Sequence, residues 1–248
     1  MSHHIVEARD LRYAYPDGTP ALCGVSFRIH HGESVAVVGA NGAGKSTLLL
    51  QLNGLLEPAS GEVRIGDVAL SRHTRAQVHR TVGFVFQDPD DQLFMPTVFE
   101  DVAFGPLNLG LSEDEVRARV MAALETVGCL QLADRAPYHL SGGEKRAVAI
   151  AGVLAMTPSI LVLDEPSAGL DPMARRRLIG LLGSFTHTRI IATHDLDLVL
   201  EVCSRVLVMH QGELRADGEP ARIFSDTTLL SRCGLEPPLC WQALPVRC

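Results

Sequence analysis

The feature that most constrains this chain is a glycine-rich pattern, G-x-x-x-x-G-K-S, that runs from Gly39 to Ser46 and continues into Thr47. The apolar run 34–38 before the pattern is typical of a buried strand, and residues 47–52 after it predict a helix. A strand, a glycine loop and a helix in this order bind phosphate through backbone N–H groups and the positive end of the helix dipole. A glycine-rich turn with a chance lysine is the competing interpretation, and partner motifs further along the chain decide between the two.

Three glycines, Gly39, Gly42 and Gly44, let the loop adopt backbone conformations that other residues disfavour and bring its N–H groups close to a phosphate. Lys45 can reach the outer phosphates, and the Ser46 hydroxyl can hold a magnesium ion. We therefore expect the whole loop to bind a nucleotide, through Gly39, Ala40, Asn41, Gly42, Ala43, Gly44, Lys45, Ser46 and Thr47.

A partner motif follows in the second half of the chain, where the apolar run 161–163 ends in two carboxylates, Asp164 and Glu165. Such a strand presents its acids at the carboxyl-terminal edge, where α/β sheets bind ligands. In a phosphate site Asp164 would hold magnesium, and Glu165 would accept a proton from an attacking water. A solvated strand end has the same sequence, so the two acids indicate a site only together with the glycine loop.

Composition limits the classes of function that remain. The 248 residues are 46% apolar and 21% charged, which is ordinary for a globular protein with a full core. The net charge of −7 offers no basic surface, so we expect no nucleic-acid partner. The longest apolar stretch, 147–156, is shorter than the roughly 20 residues that span a bilayer, and residues 1–4 do not resemble a secretory signal. We therefore expect the protein to stay inside the cell.

The six cysteines are scattered and form no CxxC pair, so in an intracellular chain we expect free thiols. The last three surround Trp241, and binding to a metal or to another chain is the alternative for those three. The cysteines are Cys23, Cys129, Cys203, Cys233, Cys240 and Cys248.

The order of the patterns predicts an α/β fold. Strand patterns at 5–8 and 25–29, with the turn 15–18 between them, predict an antiparallel sheet ahead of the glycine loop. The alternating residues 61–68 continue that sheet as a hairpin. Later strand patterns, separated by helices, predict the α/β core, at 82–86, 160–163, 189–193 and 206–209.

A mostly helical block of about 88–158 is inserted into this core. We expect one domain over residues 1–217, followed by a tail, 218–248, with short helices. The pattern leaves open whether the tail serves dimerisation or docking.

Local signals predict where several helices begin and end. Ser112 stands three residues before Glu115 in a capping box, and Gly128 should end the helix behind it. Asp171 followed by Pro172 predicts another helix start, with a capping carboxylate and a proline at the first helical position.

The segment Leu140–Glu144 reads Leu-Ser-Gly-Gly-Glu and matches the signature motif of ATP-binding-cassette (ABC) ATPases. Over residues 4–215 the chain resembles this family, whose members are the nucleotide-hydrolysing subunits of ABC transporters. The resemblance implies a P-loop NTPase (RecA-like) core, with the antiparallel β subdomain and the inserted helical subdomain, and it implies ATP and Mg²⁺ as ligands.

The resemblance also implies roles for single residues. Gln87 stands at the Q-loop position and would touch magnesium, and His194 stands at the switch position and would bond the γ-phosphate. Tyr15 is placed like the aromatic residue that stacks on adenine, and Tyr13 is the alternative. The implied catalytic residues are Lys45, Glu165 and His194, and the implied magnesium ligands are Ser46, Gln87 and Asp164.

The signature motif implies a second phosphate cradle, formed by Ser141, Gly142 and Gly143 at the start of a helix. Together with Glu144 and with Asp171, at the end of the D-loop segment, this cradle would face the ATP that another subunit's glycine loop holds. Two ATP molecules would then lie between two cassettes, in a homodimer or a heterodimer.

Residues 88–94, Asp-Pro-Asp-Asp-Gln-Leu-Phe, closely resemble the energy-coupling-factor ATPases, which drive bacterial uptake of cobalt, nickel and vitamins. This resemblance implies integral membrane subunits that dock a short coupling helix beside Gln87, and a location at the cytoplasmic face of a bacterial membrane. A cobalt or nickel importer is the closest match, and a biotin importer is the rival.

Two other functions are compatible with a phosphate-binding loop. A soluble ABC ATPase that acts on ribosomes or DNA should carry paired cassettes or a long coiled coil, and the sequence predicts neither. A P-loop kinase would leave the segment Leu140–Glu144 without a purpose.

Overall fold

The computed structural model describes residues 6–242. The chain divides into two compact units, one formed by residues 1–75 with 188–248 and the other by residues 76–187. Residue 217, the predicted domain end, lies inside the first unit, and the predicted helical block 88–158 lies inside the second. The functional bounds drawn from the sequence stay a prediction.

Strands and helices alternate along most of the chain. The strands are β1 (Val6–Ala14), β2 (Pro20–Ile29), β3 (Ser34–Val38), β4 (Ser60–Ile65), β5 (Val68–Ala69), β6 (Val82–Val85), β7 (Ile160–Asp164), β8 (Thr188–Thr193), β9 (Arg205–His210) and β10 (Glu213–Gly218). The α-helices are α1 (Lys45–Leu52), α2 (Arg75–Thr81), α3 (Val98–Asn108), α4 (Glu113–Thr126), α5 (Gly142–Leu154), α6 (Pro172–Ser184), α7 (Leu196–Val202), α8 (Pro220–Ser225) and α9 (Thr227–Arg232).

The first unit contains the predicted antiparallel sheet, with strand order β2-β1-β4-β5. Strands β1 and β2 pair antiparallel, and the turn between them is closed by hydrogen bonds from the Tyr15 N–H to the Thr19 carbonyl and from the Gly18 N–H to the Tyr15 carbonyl. The antiparallel subdomain that the sequence predicts is therefore confirmed.

The strand that precedes the glycine loop lies in the middle of a parallel arrangement. In the first unit the strand order is β10-β9-β3-β8, and β3 pairs parallel with both β8 and β9. All five residues of β3 are buried, which explains why residues 34–38 are so apolar. The glycine loop therefore begins at the carboxyl end of a strand that is held on both sides.

The C-terminal segment packs onto the same unit. Phe224 of α8 and Leu230 of α9 are fully buried in one cluster with Ala36 and Val38 of β3. Beyond α9 the chain passes the glycine loop, because a Cβ atom on Gly234 would lie 3.3 Å from the Ala40 Cβ atom. Residues 220–235 thus complete the core beneath the strand that carries the loop.

The second unit combines a pair of parallel strands with a helical cluster. Strands β6 and β7 pair with Val85 opposite Leu163. Helices α3, α4 and α5 share a buried apolar core, to which each contributes, as with Val102, Leu124 and Val148. The predicted Ser112–Glu115 capping box is confirmed at the start of α4, and similar boxes start α3 and α5.

Two elements were not anticipated from the sequence, and both are short and polar. Strand β10 pairs antiparallel with β9, but none of its six residues is fully buried. Helix α2 buries only Val78. Neither element shows the apolar periodicity on which sequence-based assignment depends, because neither covers much of the core.

Two whole-chain expectations can be compared with residues 6–242. Within that range no helix is both long enough and apolar enough to cross a membrane. The cysteines in the range are free, as expected, whereas Cys248 lies outside the described residues. The free cysteines are Cys23, Cys129, Cys203, Cys233 and Cys240.

Candidate functional site

The predicted glycine loop leaves the sheet at the end of β3 and turns directly into α1. Gly44 precedes the helix with a φ of +99°, a left-handed conformation that favours glycine. A Cβ atom on Gly44 would lie 2.4 Å from the Ala21 carbonyl oxygen, and a Cβ atom on Gly39 would lie 2.4 Å from the Met209 carbonyl oxygen. Both positions need glycine because the backbone passes so close to neighbouring strands.

Helix α1 starts without a side-chain hydrogen bond to its first turn from any residue in the described range. The N-cap residue is Gly44, which has no side chain to supply one. The first N–H groups of a helix have no partner within the helix, and they attract anions. An uncapped start after a glycine loop is therefore suited to a phosphate group.

Lys45 lies inside the loop and is only 7% exposed. Its Nζ donates hydrogen bonds to the Gly39 carbonyl at 2.8 Å and to the Ala40 carbonyl at 3.3 Å. The loop backbone thus holds the ammonium group at the place that the loop surrounds. Phosphate oxygens would be stronger acceptors than these carbonyls because they carry charge.

Tyr15, the predicted adenine-stacking residue, is joined to the loop helix. Its hydroxyl and the Thr47 hydroxyl form a hydrogen bond of 2.8 Å. The Tyr15 ring is exposed, whereas the Tyr13 ring is half-buried and meets it edge to face at a centroid distance of 5.4 Å. The contact with α1 and the exposed face favour Tyr15 over Tyr13.

His194 follows β8 as Gly39 follows β3. In the parallel pair Val38 lies opposite Thr193, so the two strands deliver Gly39 and His194 to the same edge of the sheet. His194 is exposed, and the next residue, Asp195, caps α7 by accepting a hydrogen bond from the Leu198 N–H at 2.8 Å. In the first unit the structure therefore brings the loop, Tyr15 and His194 to one region.

The predicted acidic pair lies in the second unit, at the end of β7. Asp164 is the last residue of the strand, and Glu165 follows it with a φ of +44°. Both side chains are buried, and Glu165 is 6% exposed. A left-handed backbone at a residue other than glycine is strained and is retained mainly at functional sites. This conformation turns the chain sharply directly after the strand.

Gln87 belongs to the same edge of the second unit. It comes two residues after β6, and Val85 of β6 lies opposite Leu163 of β7. The carboxyl ends of the two parallel strands therefore present Gln87 and the acidic pair together. The Gln87 side chain is exposed.

The signature motif forms the start of α5. The Ser141 hydroxyl donates to a Glu144 carboxylate oxygen at 2.7 Å, and the Ser141 N–H donates to the same oxygen at 2.8 Å. These bonds hold the pKa of Glu144 below its usual value. Ser141 and Gly142 are exposed, and a Cβ atom on Gly142 would meet no other atom of the described residues within 4 Å. The predicted second cradle is thus accessible from outside the unit.

Asp171 lies close to this cradle and has a clear role in the fold. Its carboxylate accepts a hydrogen bond from the Ala174 N–H at 2.9 Å and caps α6, as the sequence predicts. A cavity of about 700 Å³ is lined by Ser141, Gly143, Glu144 and Asp171, among others. The structure therefore places these four predicted residues around one space within the second unit.

The predicted magnesium ligands offer the donor atoms that this ion prefers. Ser46 provides a hydroxyl oxygen, Gln87 an amide oxygen and Asp164 a buried carboxylate. In the described part of the chain no cluster of three or more His, Cys, Asp or Glu side chains could hold a metal. The donor set suits an ion held by a few protein oxygens and by the phosphates of a nucleotide.

One buried basic side chain in this region was not predicted from the sequence. Arg146 of α5 is 5% exposed, and its Nη1 donates to the Phe86 carbonyl, one residue before Gln87, at 2.8 Å. A basic residue in the middle of an apolar helix was the available signal, because such a residue is seldom buried unless it has partners.

Known proteins with similar sequences agree with the geometry. Residues 22–168 match the family model described as ABC transporter. A protein of Geobacter sulfurreducens described as an ABC transporter ATP-binding protein is 65% identical over 246 residues, which cover 99% of each chain. The energy-coupling factor transporter ATP-binding protein EcfA of Methanothermobacter thermautotrophicus is 53% identical over 239 residues, which cover 94% of this chain and 77% of the relative.

Solved structures give the same result for the fold. CbiO1 of Clostridium perfringens, part of the ABC transporter complex cbiONQ, has a TM-score of 0.81 and 43% identity, and the match covers 93% of this chain and 94% of that one. The ATP-binding cassette MJ0796, solved as a dimer in a post-hydrolysis state with ADP and Pi, has a TM-score of 0.78 and 29% identity, over 87% and 98% of the two chains. The predicted α/β fold is confirmed, and so is the resemblance to the energy-coupling-factor ATPases. The chain belongs to the ATP-binding, ATP-hydrolysing subunits of the ABC transporter family.

Proposed function

We propose that this chain powers an energy-coupling-factor importer, in which two cassettes close on two ATP molecules and move membrane subunits. The observation that carries the proposal is the exposed start of α5, where Ser141 and Gly142 form a second phosphate cradle in addition to the glycine loop. An enzyme that acted alone on ATP would need only one cradle.

The glycine loop binds the ATP phosphates in this proposal. Backbone N–H groups of residues 39–47 and the start of α1 surround the phosphates, and the Lys45 ammonium exchanges its carbonyl acceptors for phosphate oxygens. Tyr15 stacks on the adenine ring. Ser46, Gln87 and Asp164 hold Mg²⁺, which supplies neutralisation of phosphate charge when it is bound.

Hydrolysis is an in-line attack of water on the γ-phosphorus. The Glu165 carboxylate accepts one proton from that water as the new P–O bond forms. The bond between the γ-phosphorus and the bridging oxygen breaks, and ADP leaves with the electron pair. His194 orients the water and bonds a γ-phosphate oxygen. Burial of Glu165 supports its assignment as the base, because few bulk water molecules reach a buried carboxylate to compete with the attacking water for its oxygen atoms.

The second cassette supplies the signature cradle to the nucleotide. Ser141, Gly142 and Gly143 approach the γ-phosphate that the other cassette's loop holds, and Glu144 and Asp171 border that contact. Dimeric MJ0796 with ADP and Pi supports such an assembly for this family. The partner is a second copy of this chain or a related cassette, and the tail 218–248 is a candidate for part of that contact.

The membrane partner docks on the second unit, on exposed apolar side chains that follow Gln87 in the chain. Phe94 and Phe104 pack edge to face at a centroid distance of 5.0 Å, and both are exposed, as is Leu107 one turn further along α3. An apolar patch of this kind on a helical unit marks a site of protein contact. It suits the apolar face of a short coupling helix, and it would hold the ATPase at the cytoplasmic face of the membrane.

Cobalt or nickel is the proposed cargo, and biotin is the alternative. The segment 88–94 and the likeness to EcfA and CbiO1 support an energy-coupling-factor assembly. The cargo assignment rests on resemblance alone, because the ATPase subunit does not contact the cargo. A soluble ABC ATPase without a membrane partner is the second candidate, and the acidic balance of the chain speaks against a ribosome or DNA.

Capture and uptake experiments test this proposal. The tagged chain is incubated with detergent-solubilised membranes of its source cells and Mg-ATP, and the retained proteins are identified. The captured membrane subunits are then expressed with the chain in cells deficient in metal and biotin uptake. We expect accumulation of radioactive cobalt or nickel that the Glu165→Gln variant abolishes.

A matched pair of surface variants tests the role of the docking surface. Phe104→Asp should lose the membrane subunits and keep ATP binding, whereas Leu55→Asp, at a residue that is equally exposed in the first unit, should keep both. Accumulation of biotin instead of metal would overturn the cargo. Retention of ribosomes and of no membrane protein would overturn the importer itself.

A further inference from the structure

The segment Phe86–Gln92 is fastened to the signature helix α5 by three polar contacts. Arg146 Nη1 donates to the Phe86 carbonyl at 2.8 Å, and Lys145 Nζ donates to an Asp90 carboxylate oxygen at 2.6 Å. The Gln92 Nε2 donates to the Ala149 carbonyl at 2.8 Å. These contacts lie along the first two turns of α5, so the segment packs beside the N-terminal part of the helix.

The segment is also closed upon itself. The Phe86 N–H donates to the Gln92 Oε1 at 3.4 Å, and the Asp88 carboxylate accepts from the Asp90 N–H at 2.9 Å. The backbone of Phe86 is therefore held at its carbonyl by Arg146 and at its N–H by Gln92. Gln87 is the next residue, so its backbone direction is set by these contacts.

Arg146 differs from the other two contacts in its burial. The guanidinium is 5% exposed, and its Nε has no hydrogen-bond partner among residues 6–242. Burial lowers the pKa of Arg146, and the negative charges of Asp88 and Asp164 act in the opposite direction. The buried guanidinium therefore depends on the segment, through the Phe86 carbonyl, for a hydrogen-bond acceptor.

We propose that Arg146 is a positioning residue that couples the signature turn, Ser141–Gly142, to the segment that carries Gln87. Arg146 lies only five residues after Ser141, within the same rigid helix, so a shift of the segment shifts the signature turn with it. Lys145 adds a weaker tie at the surface, because an exposed ion pair contributes little. The inference rests on the proposed function, since the signature turn acts on nucleotide held by the second cassette.

A coupling role and a merely structural role predict different changes. If Arg146 only stabilises the fold, its loss should weaken every activity together. If it positions the signature turn, its loss should leave nucleotide binding to the glycine loop intact, because that loop belongs to the other unit. Closure of two cassettes on ATP should then be impaired selectively.

The test compares Arg146→Met, Arg146→Lys and the control Arg117→Met, which makes the same chemical change on the exposed face of α4. All three are made in the Glu165→Gln parent, so that bound ATP persists. Binding of a fluorescent ATP analogue to dilute monomer and ATP-dependent dimer formation on a sizing column are measured for each. Thermal unfolding confirms that each variant is folded.

We expect Arg146→Met to raise the ATP concentration for half-maximal dimer formation by about tenfold or more, because a hydrogen bond to a charged group is lost. Measured without Mg²⁺, to which Gln87 and Asp164 contribute ligands, the affinity of the monomer for the analogue should stay within about twofold of the parent, because the glycine loop belongs to the other unit. Arg146→Lys should form the dimer at an ATP concentration between those of the parent and of Arg146→Met, because it keeps the charge but not the planar geometry of the guanidinium. The Arg117→Met control should match the parent.

Equal loss of monomer binding and dimer formation, or dimer formation at the parent's ATP concentration, would overturn the inference. If Arg146→Met does not fold, Arg146→Lys decides: it must show a weaker dimer with unchanged monomer binding, and parental behaviour in both would contradict the coupling role. Failure of the Glu165→Gln parent itself to form a dimer with ATP would contradict the proposed function instead.

Discussion

Two helices of this protein begin at a proposed phosphate cradle, and they begin in opposite ways. Helix α1 follows Gly44 and has no side-chain cap from the described residues, whereas α5 starts with a complete capping box of Ser141 and Glu144. The backbone of the glycine loop passes close to the Ala21 carbonyl of β2 and to the Met209 carbonyl of β9. The signature turn instead leaves Gly142 open to its surroundings.

The difference indicates how the two cradles work. At the start of α1 the N-cap residue Gly44 has no side chain to occupy the first N–H groups, so this loop is suited to bind phosphate without help from another chain. At α5 the Ser141 hydroxyl and N–H already donate to Glu144, so part of the cradle is occupied by the chain itself. Under the proposed function, the signature turn therefore stays folded without ligand and gains a phosphate contact only when another cassette delivers it.

The largest effect should come from adding a methyl group to the backbone of the glycine loop. Gly44→Ala should lower the free energy of unfolding by about 2–4 kcal/mol, because it combines a left-handed conformation with a Cβ atom 2.4 Å from the Ala21 carbonyl oxygen. Gly42 also has a positive φ, of +79°, but a Cβ atom there would meet no atom of the described residues within 4 Å. Gly42→Ala should therefore lower the free energy of unfolding by only about 1–2 kcal/mol. Urea unfolding measures both, and equal costs would contradict the close approach.

Removal of the loop ammonium should be the next largest effect, and it should act on ligand binding. Lys45→Met should weaken ATP binding by about 10- to 100-fold, since hydrogen bonds from a charged donor to phosphate are lost. Calorimetric titration with ATP in the presence of Mg²⁺ measures the change. An unchanged affinity would show that the ammonium remains on the Gly39 and Ala40 carbonyls when ATP binds.

The aromatic neighbour of α1 distinguishes two tyrosines. Tyr15→Ala should weaken ATP binding by about 1–3 kcal/mol, the usual contribution of one stacked base. Tyr13→Ala should leave the affinity nearly unchanged, because Tyr13 is half-buried and pairs across the strand with Leu22. Competition binding with ATP and with a triphosphate that lacks the base separates stacking from loss of the Thr47 hydrogen bond. The reverse order of effects would reassign adenine to Tyr13.

At the signature turn, stability and activity should change in opposite directions. Gly142→Ala should raise the free energy of unfolding by up to about 1 kcal/mol, because alanine suits a helix better than glycine and the site is open. The same methyl group should block the approach of phosphate and abolish ATP-dependent dimer formation. A variant that is both more stable and fully able to form the dimer would remove Gly142 from the cradle.

The smallest effect concerns the capping box and its pH dependence. The pKa of Glu144 is lowered by hydrogen bonds from Ser141, so this carboxylate stabilises the folded state above its unfolded pKa. That contribution is lost as the pH falls through the lower, folded pKa. The stability of Glu144→Gln should therefore fall less between neutral and acidic pH than that of the parent. Denaturant unfolding at several pH values measures the slope, and parallel curves would contradict the prediction.

Much of the fold could be predicted because local chemistry dictated it. The buried run 34–38, the Ser112–Glu115 box and the Asp171–Pro172 helix start all rest on neighbouring residues, and the structure agrees with each. The α/β core could also be anticipated in outline, because apolar strands separated by helices form parallel sheets.

The rest depends on contacts between residues far apart in the chain. Nothing in the sequence marks the left-handed backbone of Glu165, since residues other than glycine seldom adopt a positive φ. The bond between Arg146 and the Phe86 carbonyl joins residues that are 60 positions apart. The hydrogen bond between the Tyr15 and Thr47 hydroxyls, which supports the choice of Tyr15 over Tyr13, joins residues that no local pattern relates.

The C-terminal segment has a practical consequence for anyone who purifies this protein. Phe224 and Leu230 fill the layer below β3, and Gly234 lies against Ala40. Trimming by proteases or a shortened clone that stops near residue 217 would expose apolar surface under the nucleotide loop and invite aggregation. Batches that differ at this end would therefore differ in their tendency to aggregate.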